Sequence, residues 1–350
     1  MEVLLKMRSL NSLLEPIHTE AKLPALGAGV IRRGKLHALG VVGKRRVGGD
    51  EPVKRDDRFH IGSCTKSMTA TLIARLVEMG RLDWASMVAE VLPDIRKRVH
   101  WAYWKVTLEQ LLTHRSGLPE DRVPDPQVFA KLWAMASSQR LQAAELILQR
   151  EPVAKPGEKM VYSNGGYVVA GAMAEAVMGK SWEELMQEML FRPLGIRSAG
   201  FGAPVNAPWG HRATSEGYVP VAPSPFADNP PVFGPAGRLH LSLQDWARYA
   251  ILHLKGATQD EPPLLRRSTF IKLHTPPAES DYAMGWGVAQ PKWANGAVLQ
   301  HAGSNTLWFA LIILMPKTGD GFLVATNAAD ENAVNTARRV VELLRQQASR

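Results

Sequence analysis

Two apolar runs near the C-terminus, TLWFALIILM (306–315) and FLVATN (322–327), constrain the architecture most. Each is nearly continuous and bounded by turn residues, the pattern of a buried strand. Between them Pro316, Gly319, Asp320 and Gly321 spell a hairpin turn. At the other end of the chain, LGAGVIRRGKLHALGVVG (26–43) alternates about Arg33-Gly34 and predicts a second hairpin. One sheet built from both ends needs everything between them to be an insertion.

That middle part reads as mostly helical. Met68, Leu72, Ile73, Leu76 and Val77 recur at helical spacing after Ser63, and Gly80 is placed to end the helix. Thr107 with Gln110, and Ser181 with Glu184, form capping-box patterns, and Gly179 closes a helix that starts near Gly165. Outside the middle part, residues 11–22 suit a short amphipathic helix. SLQDWARYAILHL (242–254) returns to helix, and the last helix carries Val334, Ala337, Val340, Val341 and Leu344 on one face. The expected fold class is α/β in the α+β sense: an antiparallel sheet flanked by helices, with an inserted, mostly helical lobe. The expected boundaries are 1–60 and 225–350 for the sheet lobe and 61–224 for the helical lobe. Eight prolines fall between Pro204 and Pro235, so residues 203–236 read as a long loop without periodicity. Loops of that length are usually functional or mobile.

With 350 residues, 45% of them hydrophobic, the chain can bury a large core. The net charge of +9 comes from short scattered groups such as Lys44-Arg45-Arg46 and Arg96-Lys97-Arg98. No nucleic-acid motif accompanies them, so no nucleic-acid partner is expected. Cys64 is the only cysteine, which excludes an internal disulfide and a cysteine-rich metal site. The ten histidines form no His-x-x-x-His or His-x-His pair, so neither a metal nor a cofactor is expected. No stretch approaches the ~20 apolar residues of a membrane span. Lys6, Arg8 and Asn11 break the N-terminal apolar run, so no secretory core is expected. As written the chain reads as soluble and cytoplasmic; a processed N-terminus would look the same and would allow the periplasm.

Three short motifs carry chemistry. In HIGSCTKSMTA (60–70), Ser63 and Lys66 stand three apart and share a helix face. Ser63 falls at the helix N-terminus, where N–H groups favour a developing negative charge. Burial of Lys66 before an apolar face would disfavour its charge and make it a usable base. Ser63 is equally suited to plain N-capping. Cys64 points elsewhere and reads as a small buried filler, with no thiolate-stabilising partner. In KPGEKMVYSNGGY (155–167), the Tyr162 phenol beside an amine can accept a proton, and the Asn164 amide can bind a carbonyl. Ser-Asn-Gly-Gly is also turn chemistry, and both readings can hold. In LQHAGSNTLWFA (299–310), His301 and Gly303 lie at a strand edge, and the glycine allows close backbone approach. The N–H of Ser304 would then be a second oxyanion donor beside that of Ser63.

Ser-x-x-Lys, Tyr-Ser-Asn and His-x-Gly, in that order, resemble the serine β-lactamase and penicillin-binding-protein-like superfamily, closest to class C β-lactamases, DD-peptidases and related esterases. LLTHRSGLP (111–119), RPLGIRSAGF (192–201), GPAGRLHLSLQDWARY (234–249) and YAMGWGV (282–288) add to the resemblance, which runs from about residue 15 to 345. It implies a class C β-lactamase-like fold with the site between the two lobes. It implies Ser63 as the acylated nucleophile, Lys66 and Tyr162 sharing acid–base work, Asn164 orienting the substrate, and His301 with Gly303 lining the opposite wall.

A literal Lys317-Thr318-Gly319 matches the third motif of many β-lactamases, but it sits in the hairpin turn and is expected to lie away from the site. His301 stands where most β-lactamases have lysine, so a permanent cation for a substrate carboxylate is missing unless an arginine compensates. Arg238 is the candidate. No glutamate is placed like the deacylating one of class A enzymes, which favours the Tyr162-assisted route. His114 reads as a structural hydrogen-bonding residue, and Trp286 and Trp308 as acyl-pocket walls or plain core. The expected activity is serine hydrolysis through an acyl-enzyme, on esters first and on peptides ending in D-amino acids second. The alternatives are a β-lactamase, or a penicillin-binding sensor with little turnover. The partner expected is thus a small ester, lactam or short peptide.

Overall fold

A computed structural model of the chain describes residues 8–120 and 126–348. The expectation about a leader falls mostly on residues 1–7, outside the described residues. The strands in chain order are β1 (Arg8–Ser9), β2 (Ala25–Arg32), β3 (Lys35–Gly43), β4 (Arg58–His60), β5 (Gly200–Phe201), β6 (Gly210–Thr214), β7 (Gly217–Val221), β8 (Leu239–Ser242), β9 (Gly287–Ala289), β10 (Val298–Ser304), β11 (Phe309–Met315) and β12 (Asp320–Thr326).

The two apolar runs pair as β11 and β12, antiparallel from Phe309↔Thr326 to Met315↔Asp320. β12 then pairs with β2, Val324 opposite Ala28, so both ends of the chain share one sheet. Its order is β1-β3-β2-β12-β11-β10-β9. The β2–β3 connection puts Arg33 at φ 48° and Gly34 at φ 68°. Two positive φ values in a two-residue loop match the right-handed twist of the strands it joins.

Both faces of this sheet are covered, which is why its central strands read as apolar runs and not as alternation. On one face, helix α1 (Asn11–Ala21) and the C-terminal helix Glu331–Ala348 bury Leu14, Ile17, Val340 and Leu344 against Leu26, Val30, Phe322 and Val324. Each such side chain is worth about 1.5–3 kcal/mol of burial. The other face joins the main core through Ala310, Ile312, Leu314 and Leu323, packed with the helix Leu243–Gly256. Helix α2 (Thr65–Glu78) runs through that core with Thr65–Ala74 and Leu76 all buried. A helix buried all round is a scaffold held from every side. Gly80, at φ 67°, ends it, and the N–H of Arg81 reaches back to the Leu76 carbonyl at 2.9 Å.

Residues 203–236 depart from the expected featureless loop. They hold a β6–β7 hairpin and two short 3₁₀ turns, Pro225–Ala227 and Pro231–Phe233. A small sheet, β4-β8-β5, leads into α2. Among the described residues no helix is long and apolar enough to cross a membrane.

Candidate active site

β4 delivers the chain to a 3₁₀ turn, Gly62–Cys64, and α2 begins only at Thr65. Ser63 therefore sits in a tight turn before the helix and not on its first turn, a shift from the sequence expectation. The turn lies directly against the end of β10. A Cβ on Gly303 would collide with the Ile61 carbonyl and come within 2.6 Å of the Ser63 nitrogen. Gly62 has φ 50°, and a Cβ there would strike the Ser304 nitrogen. Two glycines thus let two backbones touch, bringing the amides of Ser63 and Ser304 to one place.

Lys66 is fully buried, three residues on from Ser63. Its Nζ donates to Ser63 Oγ at 3.1 Å, Asn164 Oδ1 at 2.6 Å and the Ala236 carbonyl at 2.7 Å. The Nζ also lies 4.9 Å from the centre of the Tyr162 ring. One amine therefore gathers the serine turn, the start of the helix Asn164–Met178 and the segment Gly234–Gly237. Ser63, Asn164, Asn229, Phe233, Ala236, Gly237 and Ser304 line a small pocket at this point. A larger groove is lined by Met160, Tyr162, Tyr282, Val288, His301, Phe309 and Arg338 among others.

Tyr162 packs on His114, ring centres 4.2 Å apart. His114 Nδ1 accepts from the Ser163 N–H at 3.2 Å, so its proton is on Nε2. Burial drives its pKa well below the ordinary value, and the ring is neutral. That is the hydrogen-bonding role expected of it: it fixes the Tyr-Ser-Asn turn.

His301 is buried on the inner face of β10. Its Nδ1 is 2.7 Å from the Ala302 carbonyl and its Nε2 is 2.9 Å from the Tyr282 hydroxyl. A proton on Nδ1 satisfies the carbonyl and leaves Nε2 to accept from Tyr282. Burial, with the Lys66 charge adding to it, lowers the pKa to about 3. His301 thus presents no charge to the groove, although Arg338 lines the same groove.

Arg238, the arginine considered for binding a carboxylate, already has an internal partner. Its Nε lies 3.3 Å from Asp228 Oδ2, a fully buried carboxylate, while the arginine itself is partly exposed. A guanidinium drawn to an internal carboxylate is less available to a ligand. Trp286 and Trp308 are fully buried and belong to the core. Cys64 is buried as well, its thiol facing the His301 carbonyl at 3.4 Å, and burial pushes its pKa up. Lys317 bonds Asn295 in the β11–β12 turn, as expected of a residue outside the site.

Sequence reasoning missed Asp228 and His60. His60 Nε2 is 2.9 Å from Asp228 Oδ1, with both side chains fully buried. Their positions are 168 apart in sequence, and no local spacing pairs them. Only the place of His60, three residues before Ser63, was a signal.

A sequence model described as Beta-lactamase matches residues 10–347. Penicillin-binding protein 4 of Amycolatopsis lactamdurans is 28% identical over 325 residues, which cover 89% of this chain and 83% of that protein. Unguisins hydrolase ungD' of Aspergillus campestris is 27% identical over 304 residues, 81% of this chain, and this chain spans 55% of that protein's length. The solved structure of the octameric penicillin-binding protein homologue from Pyrococcus abyssi has a similar fold, with a TM-score of 0.77 and 26% identity over 95% of this chain and 76% of that one. Matched along nearly its whole length and alike in fold, the chain belongs to the Beta-lactamase family of serine hydrolases.

Proposed function

We propose that Ser63 is the nucleophile of an acyl-enzyme hydrolase that acts first on esters. The observation that carries this reading is the 3.1 Å contact from Lys66 Nζ to Ser63 Oγ, with the amine fixed by Asn164 and Ala236. Ser63 Oγ attacks the substrate carbonyl while its proton passes to the Lys66/Tyr162 pair. Tyr162, its ring centre 4.9 Å from Lys66 Nζ, takes the proton and hands it to the leaving oxygen. The C–O bond to the leaving group breaks and the acyl group stays on Ser63. Water then attacks the acyl carbon, gives its proton back through Tyr162 to Ser63, and releases the acid. The N–H groups of Ser63 and Ser304 hold the oxyanion in both steps. Asn164 orients the substrate, and His301 with Gly303 forms the facing wall.

Two features favour esters over substrates with a carboxylate beside the scissile bond. His301 is neutral, and Arg238 is paired with Asp228. Peptides ending in D-amino acids rank second. We further propose a sheet lobe of residues 1–60 and 225–350 and a helical lobe of 61–224, with the cleft between them. A panel of p-nitrophenyl esters, a chromogenic cephalosporin and a D-Ala-D-Ala peptide tests the ranking. Ester turnover should dominate; cephalosporin turnover far above it would overturn the order. The similarity to a penicillin-binding protein supports a second reading, a penicillin-binding sensor with little turnover. Intact mass after exposure to a penicillin separates the two, because a sensor stays acylated.

A further inference from the structure

We infer that Asp228 is a positioning residue that holds both proposed oxyanion donors in register through a buried hydrogen-bonded hub. This rests on the reading above that the Ser63 and Ser304 amides receive the oxyanion.

Asp228 lies in the proline-rich segment, its side chain fully buried. Oδ1 receives the Asn229 N–H at 2.7 Å and the Asn305 Nδ2–H at 2.9 Å, and His60 Nε2 lies 2.9 Å from it. Oδ2 faces Arg238 Nε at 3.3 Å. The His60 Nε2 is within reach of the oxygen, although its N–H points off the direct line to it. Burial works against the carboxylate, but His60, Arg238 and Asn305 outweigh it and hold its pKa below the usual range.

Each partner leads to one part of the site. His60 Nδ1 accepts the Gly62 N–H at 3.1 Å, which requires the proton on Nε2, facing Asp228. The carboxylate thus selects the tautomer that clamps the Ile61–Gly62 peptide, next to the one that carries the Ser63 N–H. Asn305 Oδ1 accepts the N–H groups of Leu307 and Trp308, each at 3.2 Å, fixing the turn that follows Ser304. Arg238 follows the segment whose Ala236 carbonyl holds Lys66. A buried charge that touches three separate segments, each within three residues of Ser63, Ser304 or the carbonyl that holds Lys66, is expensive to keep for stability alone. Its value is angular: an oxyanion hole works only when its donors point at one position.

The test uses the full chain as wild type, Asp228→Asn, His60→Asn, His60→Leu and Ser63→Ala. Asp228→Asn keeps the shape but turns an amide N–H toward Arg238. Turnover of an aryl ester is compared with that of the matching thionoester, whose sulfur accepts hydrogen bonds poorly. Asp228→Asn should lower ester kcat about tenfold to a hundredfold with little change in KM, less than the loss of a whole donor. The thionoester should suffer less, so the oxygen-to-sulfur rate ratio falls, which a merely structural defect would not cause. His60→Asn, whose Oδ1 can stand where Nδ1 stood, should retain several-fold more ester activity than His60→Leu, roughly the worth of one hydrogen bond. Hydrogen exchange should rise selectively in the peptides around 60–66 and 303–308 of Asp228→Asn. An unchanged rate ratio, or exchange in those peptides equal to wild type, overturns the inference. Ester hydrolysis undiminished in Ser63→Ala would sink the nucleophile assignment instead, while the exchange data would still decide the role of Asp228.

Discussion

Gly303 has no room for a side chain, because the Ile61 carbonyl and the Ser63 nitrogen occupy the space. Gly303→Ala must push β10 away from the serine turn, and backbone on both sides leaves nothing soft to yield. The folded protein should lose about 1–3 kcal/mol of stability from overpacking. Hydrolysis should fall about a hundredfold or more, as when an oxyanion donor is misplaced. Denaturant titration and kcat on an aryl ester check both, and wild-type kcat would mean that the contact does not matter. His301 gives a prediction of a different kind. With its pKa lowered to about 3 by burial, it stays neutral from pH 5 to 9. The pH profile of kcat/KM should therefore show no limb near ~6.5, the ordinary histidine value, that disappears in His301→Gln. A limb that vanishes in the variant would show a charged His301 at work.

Asp245 shows how an element is tied down. It stands in the first turn of the helix Leu243–Gly256, capped by Ser242, and its Oδ2 accepts from the N–H groups of Arg197 and Ser198 and from Ser198 Oγ at 2.7–2.8 Å. Asp245→Ala would orphan two backbone donors, leave Ser198 Oγ only its bond to Ser242, and remove a negative charge from a helix N-terminus. The expected cost is about 2–4 kcal/mol in unfolding free energy by denaturant titration. A loss below measurement error would contradict it. Elements such as this helix were legible in the sequence because their signals are local. The capping boxes at Thr107/Gln110 and Ser181/Glu184 form as read, with both reciprocal bonds in each. The β11–β12 hairpin was legible because burial on both faces leaves apolar runs. The β6–β7 hairpin was not: half of its strand residues are exposed, Pro220 interrupts one strand, and no apolar alternation marks them. In the site, Ser63 and Lys66 were legible because their spacing is local. The pairing of Arg238 and His60 with Asp228 spans separate segments, and only the folded chain brings them together.

At the scale of the whole molecule, buried neutral histidines couple folding to pH. Burial lowers His240 to about 4 and His274 and His301 to about 3, and takes His114 and His253 well below the ordinary value. Their unfolded value is ~6.5, so on acidification the unfolded chain takes up protons that the folded chain refuses. The stabilisation is complete above ~6.5 and is lost as pH falls toward the folded values, by about 1.4 kcal/mol per unit for each group. Thermal unfolding should therefore move down by roughly 10 °C or more between pH 7 and pH 5. A flat transition temperature across that window would show these rings to be open to solvent. The same core that keeps the histidines neutral holds Lys66 beside Ser63, and on that pairing the functional account stands. It is tested most directly by acid-quenching the protein during ester turnover, or after fluorophosphonate treatment, and mapping the covalent adduct by intact mass and peptide analysis. The account predicts one adduct, on the peptide that carries Ser63, and none in Ser63→Ala, which should also lose hydrolysis. An adduct on another residue, or a Ser63→Ala protein that hydrolyses esters as well as wild type, would contradict it.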